Sequence, residues 1–382
     1  MKITGVEAFP IACDGYDFAI VVVAVRTDEG LTGIGEASLA GHGRSVLGAL
    51  DHFAELLEGR DPLRIESIWT ELVRGTFWSN GQVIMSAVAG VDTALWDLKG
   101  KALGVPVYEL LGGPTRERVR VYRHLAGVTA PELVESAQRW VEQGFTALRF
   151  PPLGAREARD IESWNPQRAI VATIAGAELL RETLGDDVDL ILDAHTMFTP
   201  AEAAYLGHAL EPVRLFFLED PIRPLNPHSL RHVRDHVNLP LATGEQLAHK
   251  WEFQPVIEGE LVDYLRIDVA HSGGITEAKK ILAMGEAHGQ RSALHHYSSA
   301  VNGVACLHVD LAVPNFGIQE WLELPGLDPV FPNAPHAQNG YVEPPRGPGL
   351  GLEFDEAEAR RRPTRDRALP RRTWPDGSHA DF

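Results

Sequence analysis

Cysteine is nearly absent: Cys13 and Cys306 are the only two in 382 residues. Two thiols cannot build a disulfide framework, so the expected compartment is a reducing one, the cytoplasm. No apolar run reaches the length of a membrane span, so no membrane role is expected. The opening Met1-Lys2-Ile3-Thr4-Gly5-Val6-Glu7 reads as a strand rather than as a signal peptide. Positive charge is the scarcer sign, 35 Lys and Arg against 53 Asp and Glu, for a formal net charge of −18. Nothing like a basic stripe offsets this, which argues against nucleic acid as a partner. An anionic small molecule would have to be held by a metal or by local Arg or Lys residues. Gly33-Ile34-Gly35 lacks the third glycine and the following βαβ unit of a dinucleotide loop.

What is present begins with ordinary globular proportions, 44% apolar and 23% charged residues, in a chain long enough for two domains. Residues 1–115 read as an α+β unit. Its strands run from Lys2 to Ile11, Ala19 to Arg26 and Leu31 to Glu36, with a hairpin turn at Asp28–Gly30. Helices are expected over Arg44–Leu57, Ile65–Val73 and Val83–Leu103. Asp92, Asp97 and Lys99 on the last helix are expected to be solvated surface charges. The arginine run Arg360-Arg361-Arg362-Pro363-Thr364-Arg365 is read the same way.

Between Val188 and Trp321, six short apolar runs each stop on a group that ionises or ligates: Asp193, Glu219, Glu245, Asp268, His295 and Glu320. The intervals run from 23 to 27 residues, the length of a strand, a helix and two loops. Such a period predicts a parallel sheet, and six or more units predict an α/β fold of the (β/α)8 type over residues 116–325. The carboxyl ends of barrel strands converge on one cavity, so all six groups should face it. Taken singly, each acid could cap a helix or pair on the surface. Asp193, Glu219 and Glu245 at one register would repel unless a cation lay between them, and an oxygen-only set suits Mg²⁺. Asp193 and His195, two apart, share a face. Asp268 beside His295 would fix the imidazole tautomer and strengthen it as a base. Paired carboxylates on a barrel would also suit a glycosidase, which needs no metal.

Leu192-Asp193-Ala194-His195, Leu218-Glu219-Asp220-Pro221, Thr243-Gly244-Glu245-Gln246, Asp268 ahead of His271-Ser272-Gly273-Gly274-Ile275-Thr276, His295 and Glu320 together resemble the enolase superfamily in its mandelate-racemase-like branch. Within it, the likeness is to the sugar-acid dehydratases, galactonate dehydratases above all, and it extends over nearly the whole chain, including Met85 to Gly100 and Asp376-Gly377-Ser378. The resemblance implies a barrel whose mouth is covered by a capping domain, residues 1–115, to which a C-terminal segment, 326–382, returns. It implies a lid over the mouth at Cys13 to Phe18, though a plain surface turn would read alike. It implies one Mg²⁺ per subunit on Asp193, Glu219 and Glu245. His295, oriented by Asp268, becomes the base that takes the C2 proton of a sugar acid, and His195 the acid that protonates the leaving 3-hydroxyl. Arg149, Glu320, His271 and Trp321 are expected to contact substrate, and the subunit to form a homo-oligomer.

One departure is diagnostic. Racemase-like members carry Lys-x-Lys on the second barrel strand, the second lysine being a base opposite His295, whereas here the string is Leu148-Arg149-Phe150. Arginine stays protonated and is a poor base. That leaves a one-sided elimination to a 2-keto-3-deoxy acid, with epimerisation or a vestigial, inactive site as the other outcomes. The substrate stays open among galactonate, gluconate and mannonate. Val313 to Glu320 and the C-terminal tail also resemble mannonate dehydratases, whose base is an arginine with a loop tyrosine. Arg149 matches the first, but Pro151 to Gln167 holds Trp164 and no tyrosine, and Asp268 matches the galactonate pattern.

Overall fold

The computed structural model describes residues 1–16, 18–154, 164–364 and 376–378. An antiparallel sheet comes first: β1 (Ile3–Ile11), β2 (Ile20–Thr27) and β3 (Thr32–Glu36), in that order. Gly30, at φ +80°, closes the β2–β3 turn in a conformation that suits glycine. Three helices pack on this sheet, α1 (Gly43–Leu57), α2 (Ile65–Arg74) and α3 (Gln82–Leu103), and the short α4 (Val107–Leu110) follows.

Helix α3 is apolar nearly all round because it is sandwiched between the sheet and other helices. Gly33 and Gly35 explain its closeness: a Cβ there would stand 2.0 Å from the carbonyl oxygens of Ala94 and Gly90 respectively. This glycine pair is a packing device between strand and helix. Asp92 and Asp97, expected at the surface, are buried. The Asp97 carboxylate accepts from the backbone N–H of Ile34 and Leu350 and from Lys101 Nζ, and Asp92 accepts from Thr276 N–H. Both acids therefore tie α3 to neighbouring chain. The helical period alone could not show this, because α3 has no solvent face at those positions.

The second body alternates strand and helix: β4 (Val119–His124), α5 (Ala130–Glu142), β5 (Ala147–Phe150), α6 (Pro166–Leu184), β6 (Asp189–Asp193), α7 (Pro200–Ala209), β7 (Phe217–Glu219), α8 (Pro227–His236), β8 (Leu241–Thr243), α9 (Lys250–Glu258), β9 (Tyr264–Leu265), α10 (Ile275–Glu286), β10 (Arg291–Ser292), α11 (Ala300–Ala312) and β11 (Gln319–Glu320). Helix starts are written locally. Thr129 and Thr199 form capping boxes with Glu132 and Glu202, and the side chains of Asn165, Asn226 and Ser299 accept from N–H groups of the first turns. The strands are parallel in the order β10-β9-β8-β7-β6-β5-β4-β11, and a bridge from Ser292 to Phe316 joins the two ends into a barrel. β12 (Tyr341–Val342) adds an antiparallel partner to β4, and α12 (Glu356–Arg361) follows it.

The two-residue period of a strand divides the barrel interior into layers. Tyr122, Ala147, Ile191, Phe217, Ala242, Ala293 and Ile318 form one buried apolar layer. The residues two positions further on are His124, Arg149, Asp193, Glu219, Gly244, His295 and Glu320. A polar layer therefore sits directly above an apolar floor.

The C-terminal chain runs back over the first sheet. Pro363 bridges Ile11, Arg26 pairs with both Glu7 and Glu356, and Arg360 pairs with Glu7. Another tie is His308 on α11, which is fully buried. Its Nδ1 accepts from Tyr108 N–H and its Nε2 donates to the Leu350 carbonyl, a pattern that only the neutral ring can make. Burial holds its pKa down at about 4. The unfolded chain therefore binds a proton that the folded one refuses, and stability falls as pH drops from 6.5 toward 4 by on the order of 3 kcal/mol from this group. Histidine NMR should show His308 neutral down to about pH 4, and a midpoint near 6.5 would refute the claim.

Candidate active site

Each polar residue of the barrel mouth is placed by strand register. Asp193 and Glu219 are paired neighbours at the ends of β6 and β7, and both are fully buried. Glu245 follows β8 on a loop opened by Gly244, whose φ of +144° and contact with the Phe253 ring both require glycine. Asp268 and His295 are bridged across the β9–β10 edge, and Glu320 ends β11. These six groups, expected to converge, do share one mouth.

His295 donates from Nδ1 to Asp268 Oδ2 at 2.6 Å, and its Nε2 lies 3.5 Å from Glu245 and 4.0 Å from Glu320. Burial opposes charging the ring, but Glu245, Glu320 and Asp268 outweigh it and raise the pKa to about 10. Asp268, although buried, is held down at about 2 by His271 and His295 and by the Ala270 N–H. Neighbouring His296 points the other way: its Nε2 contacts the Ser299 carbonyl and its ring packs on Trp321.

His195 sits on the opposite wall, because β6 and β10 are four strands apart in an eight-strand ring. Its side chain is 42% exposed, with Nε2 3.1 Å from Arg149 Nη2 and 3.0 Å from Asp193 Oδ2. Nε2 thus stands between a group that only donates and a carboxylate that only accepts, and the tautomer of the ring decides which of the two it meets. Desolvation at the barrel wall and the Arg149 charge both lower its pKa. Arg149 is also ion-paired with Asp193. His195 (φ +51°), Thr196 (φ +56°) and Asp220 (φ +38°) all hold the left-handed backbone, a strain that clusters at ligand sites.

The chemistry of the acids bears on whether they can hold a metal. Oxygens of Asp193, Glu219 and Asp220 lie within 4.8 Å of one another. Asp193 Oδ2, Glu219 Oε1 and Asp220 Oδ2 are buried without a hydrogen-bond donor, although guanidinium groups stand beside the first two as ion pairs. Burial pushes Glu219 and Asp220 above the usual carboxylate range, and Glu245 adds to the rise at Asp220. Against its burial, Glu245 is held below that range by His295 and Arg266. Such a cluster, made of hard oxygen donors and short of positive charge, fits a divalent cation. Glu245 leans toward His295, so the tightest grouping of oxygens includes Asp220 where Glu245 was expected.

Sequence reasoning passed over Arg266. It is fully buried, donating from Nη1 to Tyr122 Oη at 2.7 Å, while Nη2 meets Glu320 at 2.8 Å, Glu219 at 2.9 Å and Glu245 at 3.5 Å. The signal was present, since Arg266 stands two residues before Asp268 and therefore shares its face. Likewise Glu320 is occupied from two sides, by Arg266 and by His124 Nε2 at 2.6 Å. Trp321, expected at the substrate, is buried in the main core with its Nε1 donating to Glu323. Strand alternation turns it outward because Glu320 points inward. His271 reaches Asp268 and the Ser38 carbonyl. In the expected lid, the Tyr16 and Phe18 rings pack against Tyr297 at 5.8 and 6.0 Å. Asp17 lies outside the described residues, as does 155–163, most of the stretch searched for a tyrosine.

Residues 15–112 match the family model of the mandelate racemase / muconate lactonizing enzyme N-terminal domain, and residues 132–358 match the enolase C-terminal domain-like model. The chain belongs to the enolase superfamily. Within the superfamily it is 38% identical to a D-mannonate dehydratase of Caulobacter sp. strain K31, over 96% of each chain. It is 40% identical to a D-galactonate dehydratase family member of Streptomyces bingchenggensis, over 95% of this chain and 94% of that one. Among solved structures, an enolase from Pantoea ananatis with bound D-gluconate and Mg superposes with a TM-score of 0.90 at 35% identity, covering 96% of each chain.

Proposed function

We propose that the protein is a Mg²⁺-dependent hydro-lyase that dehydrates an aldonate to its 2-keto-3-deoxy acid. One observation carries the reading: His295 commits Nδ1 to Asp268 and presents Nε2 to the acid-lined cavity, while His195 faces it from the opposite wall. A base and an acid on opposite walls can take a proton from C2 and deliver one to the 3-hydroxyl of one bound substrate. Asp193, Glu219 and Glu245, with Asp220 beside Glu245, would hold the metal. When bound, a divalent cation supplies the positive charge that makes a C2 proton removable by an imidazole. Asp268 holds the His295 tautomer, Arg149 offers an anion a fixed donor without acting as a base, and Glu320 and Arg266 set the charge around Nε2. The racemase-like pattern puts its second base, a lysine, on the second barrel strand, and here the inward residues of β5 are Ala147 and Arg149. The named activities of the relatives, mannonate and galactonate dehydration, support the same class.

Incubation with D-mannonate, D-galactonate and D-gluconate, with semicarbazide detection of keto acid, tests this. At least one should give a product whose formation stops in EDTA and returns with Mg²⁺. Deuterium entering C2 from D₂O with inversion at C2 and no keto acid from any of the three would favour an epimerase instead. No keto acid from any aldonate or aldarate would leave a superfamily member without dehydratase activity.

A further inference from the structure

Asp268 is braced by more than His295. Its Oδ2 also faces His271 Nδ1 at 3.3 Å, and its Oδ1 accepts from Ala270 N–H at 2.7 Å and Asn302 Nδ2 at 3.2 Å. The two outer braces, His271 and Asn302, both lead out of the barrel to one place, the Glu36–Ser38 segment at the end of β3. His271 Nε2 contacts the Ser38 carbonyl at 2.8 Å, and a carbonyl only accepts, so that nitrogen carries the proton and the ring is oriented. The Glu36 carboxylate, 2% exposed, accepts from Ser38 Oγ at 2.6 Å, Ser299 N–H at 3.3 Å, Ser299 Oγ at 2.6 Å and Asn302 N–H at 3.1 Å.

Every donor in this set has its direction decided. Ser38 Oγ accepts from Val21 N–H and so gives its proton to Glu36, while Ser299 Oγ accepts from Val301 N–H and does the same. Among the described residues Glu36 forms no ion pair with Lys or Arg. Its charge is met instead by the first-turn N–H groups and the N-cap hydroxyl of α11, a placement that the helix dipole favours. A buried carboxylate with four donors holds them stiffly, because losing one would leave a desolvated charge short of a partner.

We propose that Glu36 is a positioning residue for proton abstraction. From the N-terminal sheet, it fixes the first turn of α11 and hence Asn302, and through Ser38 it fixes the carbonyl that orients His271. Those two side chains then hold Asp268, and Asp268 aims the His295 ring. The N-terminal sheet thereby takes part in the chemical step. This rests on the reading of His295 as the base.

The variants Glu36→Gln and Asn302→Ala test it. An amide at 36 must turn an NH₂ toward donors, whereas Asn302→Ala removes only the bond to Asp268 and the weak Cys306 contact, which keeps the test open if the first variant fails to fold. Loss of an orienting partner in an outer shell costs about 10- to 100-fold. That fall is expected in kcat with KM little changed, on whichever of D-mannonate, D-galactonate and D-gluconate the enzyme turns over. The kinetic isotope effect with the 2-deuterated substrate should rise, because only the proton-transfer step is slowed, and Glu36→Asp should recover part of the loss. The double variant should be no worse than the more damaged single, since both act through one path. In ¹⁵N-histidine-labelled protein without substrate, the His295 Nδ1 proton should lose its protection from exchange in both variants. Wild-type kcat, isotope effect and exchange protection in Asn302→Ala would overturn the proposal. If instead His295→Asn kept full activity, the base assignment would fall and not the link from Glu36.

Discussion

His295→Asn is expected to lower turnover by about 10²- to 10⁴-fold, the usual contribution of a positioned general base, and to abolish deuterium exchange at C2 in D₂O. Asparagine can still donate to Asp268 Oδ2, so the bond that His295 makes at 2.6 Å has a replacement and the fold should survive. The acids belong to other strands, so Mg²⁺ binding by calorimetry should be retained. His195→Asn provides the contrast. Because His195 stands four strands away, its loss should suppress release of water while C2 exchange continues. Two variants that fail at different half-reactions would separate base from acid. Equal loss of exchange in both would show that the two walls do not divide the chemistry.

The second large effect concerns stability. Arg266→Met leaves Glu219, Glu320 and Glu245 without the guanidinium that contacts all three. Breaking a buried ion pair from one side costs about 3–5 kcal/mol because a desolvated charge is left uncompensated. Here two of the three acids are fully buried, which places the expected loss at the upper end. A bound divalent cation would partly replace the missing charge. Thermal unfolding of the variant should therefore begin far below wild type and recover more on addition of Mg²⁺ than wild type gains. A methionine variant as stable as wild type in EDTA would show that the acids shed their charge as protons and do not need Arg266.

The candidate site was legible in the chain, as a set of residues brought to one mouth, wherever chemistry coincided with a strand end. Asp193, Glu219, Asp268, His295 and Glu320 each close a β-branched or leucine-rich run at a repeating interval, and such a run can end inward only at the barrel mouth. Arg266 was equally inward but stood inside its run, where a charged residue reads as part of the strand. Trp321 was misplaced because neighbours on a strand face opposite ways, and adjacency in sequence conceals that. Asp92 and Asp97 were misread for a related reason. Their partners, Thr276, Ile34 and Leu350, come from distant chain, and a helix does not announce which of its faces will be covered.

By itself, the sequence determined the alternation of strand and helix, the register that brings the acids and His295 to one rim, and the absence of a lysine base on β5. Those properties are local, set by the periods of two and 3.6 residues and by capping side chains. Only the tertiary structure decided that Asp220 crowds into the acid cluster, that Arg266 offsets part of its charge, and that Glu36 of the first sheet reaches the partners of Asp268. These contacts join residues tens to hundreds of positions apart, and which buried charge meets which is settled by packing, where an unpaired charge is too costly to remain.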